Sequence, residues 1–145
     1  MEKMLMTLGC LLIVITLTAC GEKTTESQEA QDSNEPLNLY GTWTQTNSNS
    51  ETSYQEAIIS EDGTITVNWI NDEDDTKSLY WAGSFEAPTT SDGTYSWTSK
   101  NDKEQTETAL LASGDDTKDF KYENGVISYE VSALGSTMTV ELERK

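Results

Sequence analysis

The strongest constraint on the fold of this chain is a period of two. From Thr64 to Trp69 polar and apolar residues alternate without a break, with Ile65, Val67 and Trp69 on one side and Thr64, Thr66 and Asn68 on the other. Successive side chains leave a strand on opposite faces, so this pattern marks a half-buried antiparallel strand. The same period runs through most of the chain after Pro36. Leu39, Gly41 and Trp43 share one face of a first strand, with Tyr40, Thr42 and Thr44 on the other. Tyr54 to Ser60 makes a second strand, and Glu61-Asp62-Gly63 is a tight turn. Leu79, Trp81, Gly83 and Phe85 line a fourth strand that Pro88 ends, and Tyr95 and Trp97 follow in a fifth. Phe120 and Tyr122 mark the next. Asn124-Gly125, the strongest hairpin signal in the chain, leads into Ile127, Tyr129 and Val131. Beyond Gly135, Met138, Val140 and Leu142 face the core from the last strand. Lys100 to Thr108 is polar and without period. Ala109 to Ala112 reads as a short strand or a helical turn, with the strand preferred. The pattern predicts about eight or nine short strands joined by turns, an all-β antiparallel meander closed as a barrel or packed as a sandwich.

This domain must hold together by its core alone. The two cysteines are Cys10 and Cys20, and neither lies among the strands, so no disulfide is available to them. Residues 37–145 are enough to bury a sufficient core in one domain. There is no histidine, which removes the usual general base and the commonest zinc ligand. The formal net charge of −17 repels nucleic acid and anionic headgroups and favours cations and basic partners.

The N-terminus has a different character. Lys3 precedes an apolar run from Met4 to Leu17, shorter than the roughly 20 residues that a spanning helix needs. A charged start, a short apolar stretch and small residues before a cut make a secretory signal. Its end, Leu17-Thr18-Ala19-Cys20 followed by Gly21, resembles the lipobox of bacterial lipoproteins. The resemblance implies a diacylglyceryl group on the Cys20 thiol and cleavage just before it. Two acyl chains anchor a protein stably where one is marginal. The expected organisation is a signal peptide over 1–19, a lipidated Cys20 and flexible tether over 20–36, and a barrel-like domain over 37–145. The expected location is the cell membrane, facing outside the cytoplasm. Gly21 to Glu35 contains no large apolar residue and is rich in Glu, Ser, Gln and Thr, which is a disorder composition.

Gly41-Thr42-Trp43 resembles the G-x-W motif that opens the lipocalins. That resemblance implies a barrel with Trp43 plugging one end and an Arg from the last strand packed over it. The only arginine is Arg144, which shares a face with Val140 and Leu142 when counted by twos. In a closed barrel the first and last strands are neighbours, so the two residues form a candidate barrel-end pair. The fold expected is therefore a lipocalin-like barrel, with a β-sandwich as the alternative. The Thr-Asp-Tyr motif and C-terminal helix of lipocalins have no counterpart here.

The inward aromatics suggest a site. Trp69, Trp81, Trp97 and Tyr95 are candidates for binding a small apolar or aromatic-stacking ligand. The same rings can instead fill the interior, since an eight-stranded barrel is just wide enough for its own side chains. In the acidic stretch Asn71 to Asp75, Asp72, Asp74 and Asp75 have the oxygen chemistry for Ca²⁺ but lack the D-x-D-x-D-G spacing, so no metal is assigned. No cofactor signature is present. No pair of carboxylates stands out for acid–base work, and an enzyme is not expected. Asp74-Asp75-Thr76-Lys77 recurs as Asp115-Asp116-Thr117-Lys118, each time ahead of an aromatic strand. The first functional expectation is a membrane-anchored binding module for a small apolar ligand. The second is a cell-envelope interaction domain with a solid core whose acidic loops meet a partner.

Overall fold

A computed structural model describes residues 35–133 and 135–145. The expected signal peptide, Cys20 and the tether up to residue 34 lie outside the described residues. The strands are β1 (Gly41–Gln45), β2 (Ser53–Ser60), β3 (Thr64–Asn71), β4 (Thr76–Ser84), β5 (Thr94–Lys100), β6 (Thr117–Glu123), β7 (Val126–Ala133) and β8 (Ser136–Arg144), with one helical turn, α1 (Lys103–Thr106), between β5 and β6. The eight strands make one antiparallel sheet in the order β4-β3-β2-β1-β8-β7-β6-β5. Sequential strands are neighbours except at β4 and β5, and the first strand pairs with the last, with Trp43 opposite Arg144. This is an up-and-down meander curled into a barrel-like wall, a single sheet and not a two-sheet sandwich.

Turn chemistry fixes the registers. Asn124 and Gly125 both have positive φ, 51° and 90°, the backbone that lets a two-residue turn follow the twist of its strands. The β2–β3 ladder runs unbroken from Ser53↔Asn71 to Ser60↔Thr64 around the Glu61–Gly63 turn. The resulting inward face buries Leu39, Trp43, Ile59, Ile65, Phe120 and Leu142 almost completely. The whole core lies between Leu39 and Leu142, so residues 35–145 carry a core of their own and meet the physical requirement for folding alone.

Between β4 and β5 the wall is closed by loops. Gly83 bridges to Asn101, the Asp102 N–H donates to the Ala82 carbonyl at 2.9 Å, and the Ser113 N–H donates to the Tyr80 carbonyl at 2.8 Å. Unpaired strand edges template aggregation, and here the segment after β5 covers the edge of β4. That segment starts as a helical turn because the Asp102 carboxylate accepts from the Glu104 N–H at 3.1 Å as an N-cap. The expected short strand over Ala109–Ala112 is therefore corrected. These residues continue the turn, with the Ala109 N–H on the Thr106 carbonyl and the Ala112 N–H on the Ala109 carbonyl. Leu110 is 95% exposed.

Other expectations also change. In β4 the register slips between Val67↔Trp81 and Asn68↔Leu79, leaving Tyr80 as an extra residue. A bulge of this kind shifts the alternation by one. Asn68, expected on the outward face, is buried beside the register slip. Tyr80 and Trp81 both point into the core, and Leu79, expected inside, is only half-buried. Met138, also expected inside, is 49% exposed, because it sits near the Gly135 turn at the rim, outside the last packed layer.

Candidate functional site

The wall has two ends. The β2–β3, β4–β5 and β6–β7 turns fall at one of them, together with the start of β1 and the end of β8. There Arg144 lies over Trp43, its guanidinium carbon 4.8 Å from the ring. Its Nη1 donates to the Tyr40 carbonyl at 3.0 Å and its Nη2 to the Asn38 carbonyl at 2.6 Å. The Trp43 indole N–H donates to the Leu39 carbonyl at 3.0 Å. Both terminal guanidinium nitrogens and the indole N–H thus find backbone acceptors, and the pair clamps the segment entering β1 onto the barrel end.

The residues proposed for ligand binding belong to the aromatic network of the core, Trp81 and Trp97 buried in it and Trp69 and Tyr95 packed against it. Tyr95 stacks on Trp97 at 5.7 Å between centroids, Trp97 on Phe120 at 5.1 Å, and Phe120 leans on Tyr129 at 5.0 Å. Tyr129 faces Tyr80 across the interior at 6.4 Å, and Tyr80 meets Trp69 edge-on at 5.7 Å. The stack thus joins the two halves of the sheet. Trp81 is fully buried, and its indole N–H donates to Ser99 Oγ at 2.9 Å. Trp69 and Tyr95 are half-buried at the margins. The rings spend their faces on each other, each such pair contributing about 0.5–1.5 kcal/mol beyond its buried area.

A polar inlay runs through this aromatic interior. Lys118 is on the inward face of β6, its side chain 6% exposed. Its ammonium lies 5.3 Å from the Tyr80 ring centre and 5.4 Å from that of Trp81. It donates to Asp115 Oδ2 at 3.2 Å and to the Glu130 carbonyl at 3.3 Å. A buried ammonium is tolerable only when its charge and its protons are matched in this way. The Ser113 hydroxyl chiefly, and then Lys118, hold the Asp115 carboxyl below its usual range against an opposing effect of burial. Deeper in, the Tyr129 hydroxyl donates to Gln55 Oε1, and burial pushes the phenol well above its ordinary value. Sequence reading missed Lys118 and Gln55. The signal for Lys118 was present, since it stands two residues before Phe120 and four before Tyr122, in phase with the inward face.

The Asn71–Asp75 loop is committed to its own turn. Asp74 Oδ1 accepts from the Thr76 N–H at 3.2 Å and its hydroxyl at 2.8 Å, and Asp72 Oδ1 accepts from the Tyr54 hydroxyl at 3.4 Å. Asp75 sits at positive φ, 54°. Among the described residues no group of three acidic, His or Cys side chains converges as a metal would need. The repeated Asp-Asp-Thr-Lys stretches also diverge: Lys77 is exposed and pairs with Glu56 at 3.2 Å, whereas Lys118 is buried.

The wall opens between β6 and β7. These strands pair only over Phe120–Glu123 with Val126–Tyr129. Beyond that point Thr117–Asp119 keep only β5 as a partner, and Glu130–Ser132 keep only β8. The splay leaves a cleft of about 940 Å³, bordered by Asp119, Lys121, Ser128 and Glu130, with Trp97 and Tyr129 also lining it. Against protein-family models, curated proteins and solved structures, the chain finds no match.

Proposed function

We propose that this chain is a lipid-anchored extracytoplasmic protein whose barrel-like domain acts through its outer surface in the cell envelope. In this reading Cys20 carries the diacylglyceryl group, residues 20–36 are the tether, and the partner is a basic protein. The filled interior carries the outer-surface reading. Trp81, Trp97, Phe120 and Tyr129 occupy the space that a carrier barrel would give to an apolar ligand. The β3–β4 and β5–β6 connections share the end of the wall opposite Arg144. On the first Asp72 and Glu73 are exposed, and on the second Asp115, Asp116, Leu110 and Leu111 are exposed. Acidic groups together with a small apolar tip favour a basic surface and steer its approach.

The test is a titration of residues 35–145 with the apolar probe ANS, read by tryptophan emission. The expected result is no saturable site in the folded domain. A single tight site with a change in Trp emission would reinstate the interior-carrier reading. The anchor is tested by metabolic labelling with palmitate in a bacterial host. Label is expected on the full chain and absent from Cys20→Ala, which should leave the membrane fraction.

A further inference from the structure

We infer that the open edge of β5 is a docking site for an extended, basic segment of a partner protein, added to the wall as one more strand. The sign of the partner's charge rests on the reading above, while the anchor and the end loops play no part.

Hydrogen bonds at the two ends of β5 set its phase. The Asn101 N–H donates to the Asp116 carbonyl at 3.0 Å, and the Asn124 N–H to the Gly93 carbonyl at 3.4 Å. Both bonds continue the register that sets Tyr95 opposite Tyr122 and Trp97 opposite Phe120. Directly opposed residues in an antiparallel pair alternate between bonded and unbonded. Tyr95, Trp97 and Ser99 therefore spend their main-chain groups on β6, and those of Thr94, Ser96 and Thr98 point the other way, towards β4.

Among the described residues nothing meets them there. The strands touch at the Gly83↔Asn101 bridge, and the Lys100 N–H is taken by Ser84 Oγ at 2.9 Å. Past Ser84 the chain commits its own groups elsewhere. The Phe85 N–H donates to the Gly63 carbonyl at 2.7 Å, and the Glu86 carbonyl accepts the Tyr95 hydroxyl at 2.7 Å. Pro88 has no N–H, and the Thr90 carbonyl accepts the Leu37 N–H at 2.9 Å. The edge of β4 is covered by the segment after β5, but the edge of β5 is left uncovered.

Such an edge is normally blunted by a charge, a proline or a bulge. Here Thr94, Ser96 and Thr98 are exposed, small and uncharged. The ladder behind them runs without a slip from Thr94↔Glu123 to Lys100↔Thr117. A regular, unguarded edge pairs an incoming strand through main-chain bonds, and alternate side chains supply specificity.

Charge selects the occupant. Glu86 and Asp92 are exposed on the connection that precedes β5. Asp119 stands opposite Thr98 on β6 and accepts its hydroxyl at 2.6 Å. Lys121, opposite Ser96, is already matched by Glu123 at 2.6 Å. A second copy of this chain, itself at −17, meets repulsion along the edge. A strand with Lys or Arg at alternate positions sets its cations beside these carboxylates.

Amide hydrogen exchange on ¹⁵N-labelled residues 35–145 tests this, with the end-blocked hexapeptide Lys-Thr-Lys-Val-Lys-Thr added at millimolar concentration. Saturable binding is expected to slow exchange at Thr94, Ser96 and Thr98 by roughly tenfold or more. Tyr95 and Trp97, already bonded to β6, should not change. A fully N-methylated form of the peptide keeps its charge, cannot pair as a strand and should give no protection. Ser96→Pro removes one edge N–H without touching the β6 ladder and should abolish binding. If that variant does not fold, the N-methylated peptide makes the same test. The proposal is overturned if the Lys peptide protects none of the three amides, or if the N-methylated form binds as well. Protection that grows with protein concentration alone would give the edge to a second copy and overturn it too. A peptide with Glu in place of Lys should bind roughly tenfold more weakly. Equal binding would overturn the basic partner both here and in the reading above, whereas failure of pairing alone leaves that reading standing.

Discussion

The Trp81 indole N–H donates to Ser99 Oγ at 2.9 Å, tying β4 to β5 where the strand ladder is interrupted. The tie depends on Gly83. A Cβ there would lie 2.5 Å from the Lys100 carbonyl oxygen and 2.8 Å from Trp81 Nε1. Ser99→Ala leaves a buried indole N–H unpaired and should cost about 1–3 kcal/mol. Gly83→Ala should cost more, because backbone atoms must move apart. Urea unfolding of both variants checks the order, and a Gly83→Ala domain as stable as the parent would show the seam to be loose.

Lys118 gives a test of sign. Removing its charge without refilling the space leaves a cavity among Tyr80, Trp81 and Phe120, so Lys118→Ala should destabilise by about 2–4 kcal/mol. Lys118→Met keeps the volume and removes the desolvation cost. Its partner Asp115 is largely exposed and can return to water, so that variant should stay within about 1 kcal/mol of the parent. Equal losses in the two would mean that the charge itself holds the fold.

Asp115 sets part of the acid limb. Its folded pKa is lowered, first by the Ser113 hydroxyl. The stability it contributes is therefore present above the ordinary value of 3.8 and lost as pH falls through the lowered one. Asp115→Asn should flatten the pH dependence of the unfolding midpoint in that window. An unchanged acid limb would assign it to other carboxylates.

Tyr129 acts at the opposite extreme. Burial first, and the neighbouring Tyr80 next, raise its folded pKa well above 10.0. The corresponding stability is complete below the ordinary value and is lost as pH rises above it. Phenolate absorbance should show a tyrosine that ionises only as the domain unfolds, and Tyr129→Phe should remove that step. The same variant leaves Gln55 buried without its hydroxyl partner and should lower stability by about 1–3 kcal/mol at neutral pH.

At the other end of the wall, Arg144→Lys keeps the charge but cannot reach both the Asn38 and Tyr40 carbonyls from over the Trp43 ring. A loss of about 1–2 kcal/mol in thermal or urea unfolding is expected, with Arg144→Met no better. Full retention of stability in the Lys variant would reduce the contact to simple charge.

Most strands were legible because alternation and turn residues act locally. Ile65, Val67, Trp97, Val140 and Leu142 were placed inside by the period of two alone, and Asn124-Gly125 located its hairpin. Met138 and Leu79 were misplaced for non-local reasons, one by the rim of the barrel and the other by a bulge that only pairing with β3 creates.

The sequence by itself determined the all-β class, the meander, the inward aromatic face and the phase that puts Lys118 on it, since all of these follow from side chains leaving a strand on alternate sides. Tertiary structure alone decided what the inward face became. The Tyr80 bulge added one more ring to the interior, the helical turn after Asp102 sealed the edge of β4, and β6 parted from β7. Each depends on which backbone groups find partners across the sheet, and residues far apart in the chain settle that jointly.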